Sequence, residues 1–359
     1  MRGEVVYLYA FDVANEIVTA EVKDILASKP FAFEIRTGHT LPKDVPLYRP
    51  LAIEPPALTS PLGGQTVRTL VRVYEVGVVS ITMRVSIEVE HLTALVPFHR
   101  AVLDDGRALD QVARELCEAV CRSIADAMVR HAQPPGPEAY TVFCLEEVAP
   151  PGDVPAWLAA NRAAVAELLT EARPGTLSET QVAEVLRISR SYLTTDVVVI
   201  DWDAALVVDL DGYVDDVLYV LELANLQLEE YRTMDLRLDR YLDRAYEDLK
   251  RLRVGVFGTH SATLGTLREI RIDLTKLNDE VTHIGKFFGD WYLARVYLGA
   301  RERFYLHEWR ASVENRLAQL DQLYSVVNTD INNRRMTWLE LLIVIFFAID
   351  LLMLAFWRH

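Results

Sequence analysis

Residues Trp338–Trp357, WLELLIVIFFAIDLLMLAFW, decide how the rest of the chain is read. A helix needs about 20 mostly apolar residues to cross a hydrocarbon core about 30 Å thick. This stretch has that length, and its charged residues are Glu340 and Asp350. Trp338 and Trp357 bracket it, where indole rings favour the headgroup layers. The reading is a C-terminal transmembrane tail anchor over 338–357. Arg334 and Arg335 just before it put the body of the chain on the cytoplasmic side, by the bias of basic residues toward that face. A buried core helix is the alternative, and it leaves open what would cover so long an apolar run. Glu340 lies near the interface, within reach of water. Asp350 lies past the midpoint, where an acid costs about 2.5–3.5 kcal/mol and usually faces another helix or a cavity. It therefore points to self-association in the bilayer, or to a carboxyl that burial keeps protonated.

Upstream of the span, from Asp211, strand signals stop and a seven-residue periodicity takes over. One seam runs Ala224, Leu228, Tyr231, Asp235, Leu238, Leu242, Ala245, Leu249, Leu252. Gly255 and Gly258 mark a break. A second runs from Leu267 to Trp291, and Gly299 is a second expected break. A third runs Leu306, Trp309, Val313, Leu317, Leu320, Tyr324, Val327, Ile331, straight into the apolar run. At a rise of about 1.5 Å per residue, the second helix is about 50 Å long and the third about 75 Å with the span. Such helices pack on one another or on another copy. The expectation is a long antiparallel hairpin or coiled coil over 211–337 with homo-oligomer contacts. Asp235 occupies a seam position suited to leucine, and a polar residue there fixes register. Arg232 and Arg237 make an ion pair the expected role. Asp235, Asp239, Asp243 and Glu247 form a row at four-residue steps. It is a solvated face on the ordinary reading and a metal or basic-partner site on the sharper one.

Residues 1–210 read as a mixed α/β globular domain, so the whole is α+β followed by long helices. Strands are expected over Val5–Val13, Phe31–Ile35, Val67–Glu75, Val78–Glu90 and Tyr140–Leu145, with helices over Glu16–Ser28, Leu103–His131, Val154–Ala172 and Ser178–Ser189. Ser178 with Gln181 suits a capping box. Arg68, Val71, Val73, Arg84 and Ser86 suit a sheet with one wetter face. A hairpin over Asp196–Asp201 and Ala204–Asp209 turns at Trp202-Asp203. Asp201-Trp202-Asp203 is the best candidate for chemistry by residue type. Its plain reading is a turn, because acids tolerate turn geometry.

Composition narrows the function classes. The 359 residues carry a net charge of −15, which is poor for a phosphate-binding surface, so direct nucleic-acid binding is not expected. Mean hydropathy is high for a soluble chain at +0.12. Cys117, Cys121 and Cys144 make no disulfide framework, and the first two lack the second Cys or His pair of a metal site. Glu4 and Asp12 interrupt the apolar N-terminus, which is not a signal or transit peptide. No Walker loop, HExxH, paired CxxC or nucleophile elbow is present, and no catalytic, cofactor or metal residues are assigned.

The run Tyr192–Ala205, the run Leu223–Glu229 with Tyr231 and Asp235, and Leu339-Glu340 with Asp350 ten positions on resemble the motifs of the "required for meiotic nuclear division" (RMD/RMND) family. Glu75–Val79 is similar to its glycine-turn strand. Leu341 departs from the pattern, which has tryptophan there. The resemblance implies a domain of unknown function with a C-terminal membrane segment, without agreed catalytic residues. It also implies a large partner, since a mitochondrial member sits at the inner membrane and supports translation, a role consistent with tethering ribosomes. Lacking a transit peptide, this chain looks like a bacterial inner-membrane member. The expected function is a non-catalytic, tail-anchored, homo-oligomeric scaffold or tether. The alternative is a membrane enzyme or ion-conducting assembly working through Asp201, Asp203 or Asp350.

Overall fold

In strand β1 (Arg2–Asp12), Val5, Tyr7, Tyr9 and Phe11 face one side and Val6, Leu8 and Ala10 the other, and all are buried. A strand buried on both faces belongs at the centre of a covered sheet, and β1 does. The computed structural model describes residues 1–25, 31–32, 50–55, 58, 60–131, 136–148, 152–209, 214–252, 272 and 291–356. The strands are β2 (Ala14–Ile17), β3 (Phe31–Ala32), β4 (Leu51–Ile53), β5 (Arg68–Val73), β6 (Val78–Glu88), β7 (Met128–His131), β8 (Glu138–Glu147), β9 (Ser189–Arg190), β10 (Asp196–Ile200) and β11 (Ala204–Asp209). Nine form one sheet in the order β3-β4-β5-β6-β1-β8-β11-β10-β9, while β2 and β7 pair separately. The described neighbours are antiparallel except β8 and β11, which run parallel. A parallel pair needs a crossover, and α3 (Val154–Ala160), α4 (Arg162–Leu169) and α5 (Glu179–Val185) lie in that connection.

One face of the sheet, with Tyr7, Phe11, Met83, Phe143 and Leu206, packs against α2 (Leu109–Ser123), α4, α5 and the 3-10 segment Leu92–Arg100. The other face is covered by the start of α6 (Val214–Leu252) and by α7 (Trp291–Arg303). The chain forms two compact units, Met1–Thr233 with Lys276–Arg310, and Met234–Thr275 with Ala311–His359. In the second, Leu238 and Leu242 of α6 and Val313, Leu317 and Leu320 of α8 (Leu306–Phe356) are buried. Every described member of the first seam is buried, from Ala224 to Leu242.

The chain is mixed α/β, as the sequence indicates, and several elements differ in detail. The helix expected over Leu103–His131 is shorter. Its first residues form a turn at Gly106 (φ 88°), fixed by the Asp104 carboxylate, which accepts from the Gly63 and Gly64 amides at 2.8 and 3.0 Å. Its last residues are β7, because β2 needs a partner. The expected Glu16–Ser28 helix likewise starts as β2 and becomes α1 (Thr19–Ile25). The helix expected over Val154–Ala172 breaks at Asn161, whose side-chain amide donates to the Trp157 carbonyl at 2.8 Å and competes with the helix ladder. Ser178 caps α5 by accepting from the Gln181 amide at 3.2 Å.

Gly299 is not a break: α7 runs through it and ends before Tyr305 (φ 52°). Of the second seam, Trp291 at the start of α7 is described and is exposed; its other members fall within residues 253–290, outside the described residues, and with them the antiparallel hairpin. Coiled-coil packing is not seen among the described residues. The span over 338–357 is also not recovered: among the described residues no helix is long and apolar enough to cross a membrane. The described side chains of that stretch are residues 338–349 and Met353, while the backbone is helical to Phe356.

Candidate functional site

The turn that joins β10 to β11 carries Asp201, Trp202 and Asp203, and the structure gives each a separate setting. Asp201 is buried, and its carboxylate lies 3.2 Å from Arg303 Nη2 at the end of α7. Arg303 is itself buried and also donates to the Glu184, Val185 and Ile200 carbonyls at 2.7, 3.2 and 3.2 Å. It thus caps the C-terminus of α5, where a cation suits the helix dipole. Burial raises the Asp201 carboxyl above its ordinary value, against the opposing pull of Arg303. Trp202 is half exposed and packs against Tyr305, with ring centroids 5.6 Å apart and planes inclined at 48°. Burial, then the Glu171 charge, raises the Asp203 carboxyl, while its backbone carbonyl accepts from the Thr141 amide at 3.2 Å. Asp201 and Asp203 therefore sit in different surroundings, one clamped to a guanidinium and one beside the Glu171 and His99 side.

Asp235 is ion-paired through a residue far along the chain, where Arg232 and Arg237 were the partners expected. Its carboxylate accepts from Arg316 Nε at 2.8 Å and from the Ser312 hydroxyl at 3.2 Å. Arg232 is turned instead to Glu138 and Glu229. Arg316 also touches Asp239, so two members of the acidic row share one cation. Among the described residues, no group of three or more His, Cys, Asp or Glu is arranged to hold a metal ion. Cys117 and Cys121 bring their sulfurs to 4.0 Å on α2. Trp338 and Glu340 are exposed; the side chain of Asp350, and Trp357 altogether, lie outside the described residues.

A second cluster escaped sequence reasoning. Under the first turns of α6 lies a layer of buried polar groups. Arg72 is ion-paired with Glu222, and both are buried. Tyr74 donates to Glu222 at 3.1 Å, and Arg72 to the Thr82 hydroxyl at 3.2 Å. Arg84 bridges Glu4 at 3.0 Å and Asp215 at 2.7 Å. Further along α6, Glu229 is 1 % exposed and lies beside buried Asp12. Burial, and then the Asp12 charge, push the Glu229 carboxyl up to about 8. The signal was present in Arg68, Arg84 and Ser86: Arg68 and Ser86 stay exposed and Arg84 is partly buried, while further along the same face Arg72 and Thr82 lie buried under α6.

These features define a mixed α/β domain whose polar sheet face is sealed by a long helix. Residues 2–215 match the family model described as "Uncharacterized protein MJ0711, N-terminal domain", and the chain belongs to that family. A relative, uncharacterized protein MJ0711 of Methanocaldococcus jannaschii, is 23% identical over 189 residues, 53% of this chain and 57% of the relative. The chain thus matches little more than half the relative's length. No solved structure matches. Neither match bears the RMD/RMND name or an activity.

Proposed function

We propose that this chain is a non-catalytic, self-associating membrane scaffold or tether of the RMD/RMND type, attached through the end of α8. The supporting observation is the way α8 presents its apolar residues. Every described side chain from Met336 to Ile349 is exposed, and all but Thr337 and Glu340 among them are apolar. Leu341 to Phe347 alone make almost two full turns, so the exposure goes all the way round the helix. A protein partner covers one stripe of a helix, whereas lipid covers every side. Burying each Leu, Ile or Phe contributes roughly 1.5–3 kcal/mol, which together outweighs Glu340 and Asp350. Arg334 and Arg335 favour a cytoplasmic body, the resemblance adds a large cytoplasmic partner such as the ribosome, and Asp350 supplies a polar contact between copies in the bilayer.

Flotation with lipid vesicles tests the attachment. The full chain is expected to float, and a chain ending at residue 337 to stay at the bottom of the gradient. Equal behaviour of the two refutes the attachment. Asp350→Leu is expected to reduce assembly size in detergent by light scattering; an unchanged mass removes Asp350 from the argument. The second reading, a membrane enzyme or ion-conducting assembly, draws on the raised Asp201 and Asp203 carboxyls. It is weaker, because Asp201 is held by Arg303.

A further inference from the structure

A cleft of about 300 Å³ opens on the sheet face opposite α6. Its floor is Tyr7, Tyr9 and Thr141 on the paired strands β1 and β8, and its walls are the end of the 3-10 segment and the start of α2. Much of its polar lining is already engaged. The Tyr7 hydroxyl donates to the Phe98 carbonyl at 2.7 Å. His99 Nε2 lies 2.7 Å from the Leu168 carbonyl, which fixes a proton on that nitrogen. Arg100 is bonded to Glu171 at 3.1 Å.

Three groups remain. Tyr9 is 6 % exposed and Thr141 8 %, and among the described residues neither hydroxyl has a hydrogen-bond partner. The two side chains are almost wholly enclosed, yet neither oxygen is among the buried unpaired polar atoms of the described residues, so both hydroxyls open into the cleft and are available to a ligand there. The third is Asp110, an exposed carboxylate in the first turn of α2, close enough for its charge to act on Tyr9. The N-cap of α2 is Ala108, which offers no side-chain bond to the amides of that first turn.

The complement of this set follows from charge and hydrogen bonding. An anion is disfavoured, because Asp110 repels it and Arg100 is already held by Glu171. A cation is disfavoured by the positive end of α2. What fits is a neutral group that donates to Asp110 and accepts from Tyr9, Thr141 and the α2 amides, with C–H faces to lie on the apolar walls Val102, Leu109 and Ala139. We infer that the cleft binds a small neutral ring bearing vicinal hydroxyls, as in a free sugar or cyclitol or the ribose of a nucleoside. Its volume lies at the small end of ligand pockets, about one such ring with a substituent.

Saturation-transfer NMR on the full chain, in a detergent without a sugar headgroup, tests this. Glucose, myo-inositol and adenosine are the probes; n-butylamine and inorganic phosphate are the controls. Transfer to at least one hydroxyl-bearing probe is expected, with adenosine separating the ribose source from the free-ring source. Tyr9→Phe and Thr141→Val, which remove only a hydroxyl or exchange it for a methyl, are each expected to weaken that binding about two- to tenfold. Transfer to none of the three probes overturns the inference. So does transfer to butylamine or phosphate alone, or binding unchanged in both variants.

Discussion

Glu229→Gln makes the polar layer under α6 measurable. Glu229 is 1 % exposed and lies beside the Asp12 carboxylate. Among the described residues its ion-pair partner is Arg232 at 3.5 Å, which Glu138 shares. Its carboxyl is raised from 4.5 to about 8, chiefly by burial. The folded chain therefore holds a proton that the unfolded chain has released across that window. More protons on the folded state mean that stability falls as pH rises from about 4.5 to about 8 and levels off above. Each pH unit crossed within that window removes about 1.4 kcal/mol, so by pH 7 the carboxylate costs on the order of 3 kcal/mol. Arg232 offsets part of that, leaving about 1–3 kcal/mol to recover. A glutamine side chain keeps an acceptor oxygen for the Asp12 amide, brings no charge, and presents N–H donors toward Asp12 and Thr233.

Urea unfolding of both proteins at about pH 5 and about pH 8, followed by tryptophan fluorescence, gives four free energies. Every other titrating group contributes to both chains, so the difference of differences isolates Glu229. Glu229→Gln is expected to be more stable than the parent at the higher pH by about 1–3 kcal/mol and to show a shallower pH slope. A variant less stable than the parent at the higher pH, with the slope unchanged, refutes the reasoning. Glu229 would then be an ionised partner of Arg232, and the layer a network of satisfied charges.

Substitutions at two other places, around Glu222 and at Gly299, probe the second face of the sheet. Glu222→Ala removes the carboxylate that Arg72 and Tyr74 share and is expected to cost about 3–5 kcal/mol, whereas Arg72→Met with Glu222→Leu should be close to neutral; thermal denaturation of the three chains checks the contrast. Gly299→Ala places a Cβ 2.8 Å from Ile188 Cγ2, so the steric cost of about 1–3 kcal/mol should exceed the gain of up to about 1 kcal/mol in helix propensity. Adding Ile188→Ala is expected to relieve that clash, and strictly additive losses would count against it.

Local signals were legible and long-range partners were not. The hairpin at Asp201–Asp203 and the turn at Gly77 were readable, because a tight turn is specified by adjacent residues. Gly77 has φ 91°, and a Cβ there would meet the Ala14 carbonyl oxygen at 1.9 Å. The Leu103–His131 stripe misled because its apolar spacing also suits a helix followed by a strand, and only pairing with β2 decides between them. Asp201 and Asp235 stood out by type, yet their cations, Arg303 and Arg316, lie far along the chain. The cleft is assembled from segments of which none is a motif.

The proposed attachment rests on a change in the burial pattern along α8. Val313, Leu317 and Leu320 are buried while Glu314, Asn315, Ala318 and Gln319 between them are exposed, the stripe of a helix packed on one side in water. Among the described side chains from Met336 to Ile349 no stripe exists: Leu341, Leu342, Ile343, Val344, Ile345, Phe346 and Phe347 are each 46–69 % exposed. A helix that needed only a protein neighbour would keep the polar side seen at Glu314 and Gln319. Losing that side over two turns leaves every direction unfavourable in water, which is the feature the proposed attachment to lipid is meant to explain.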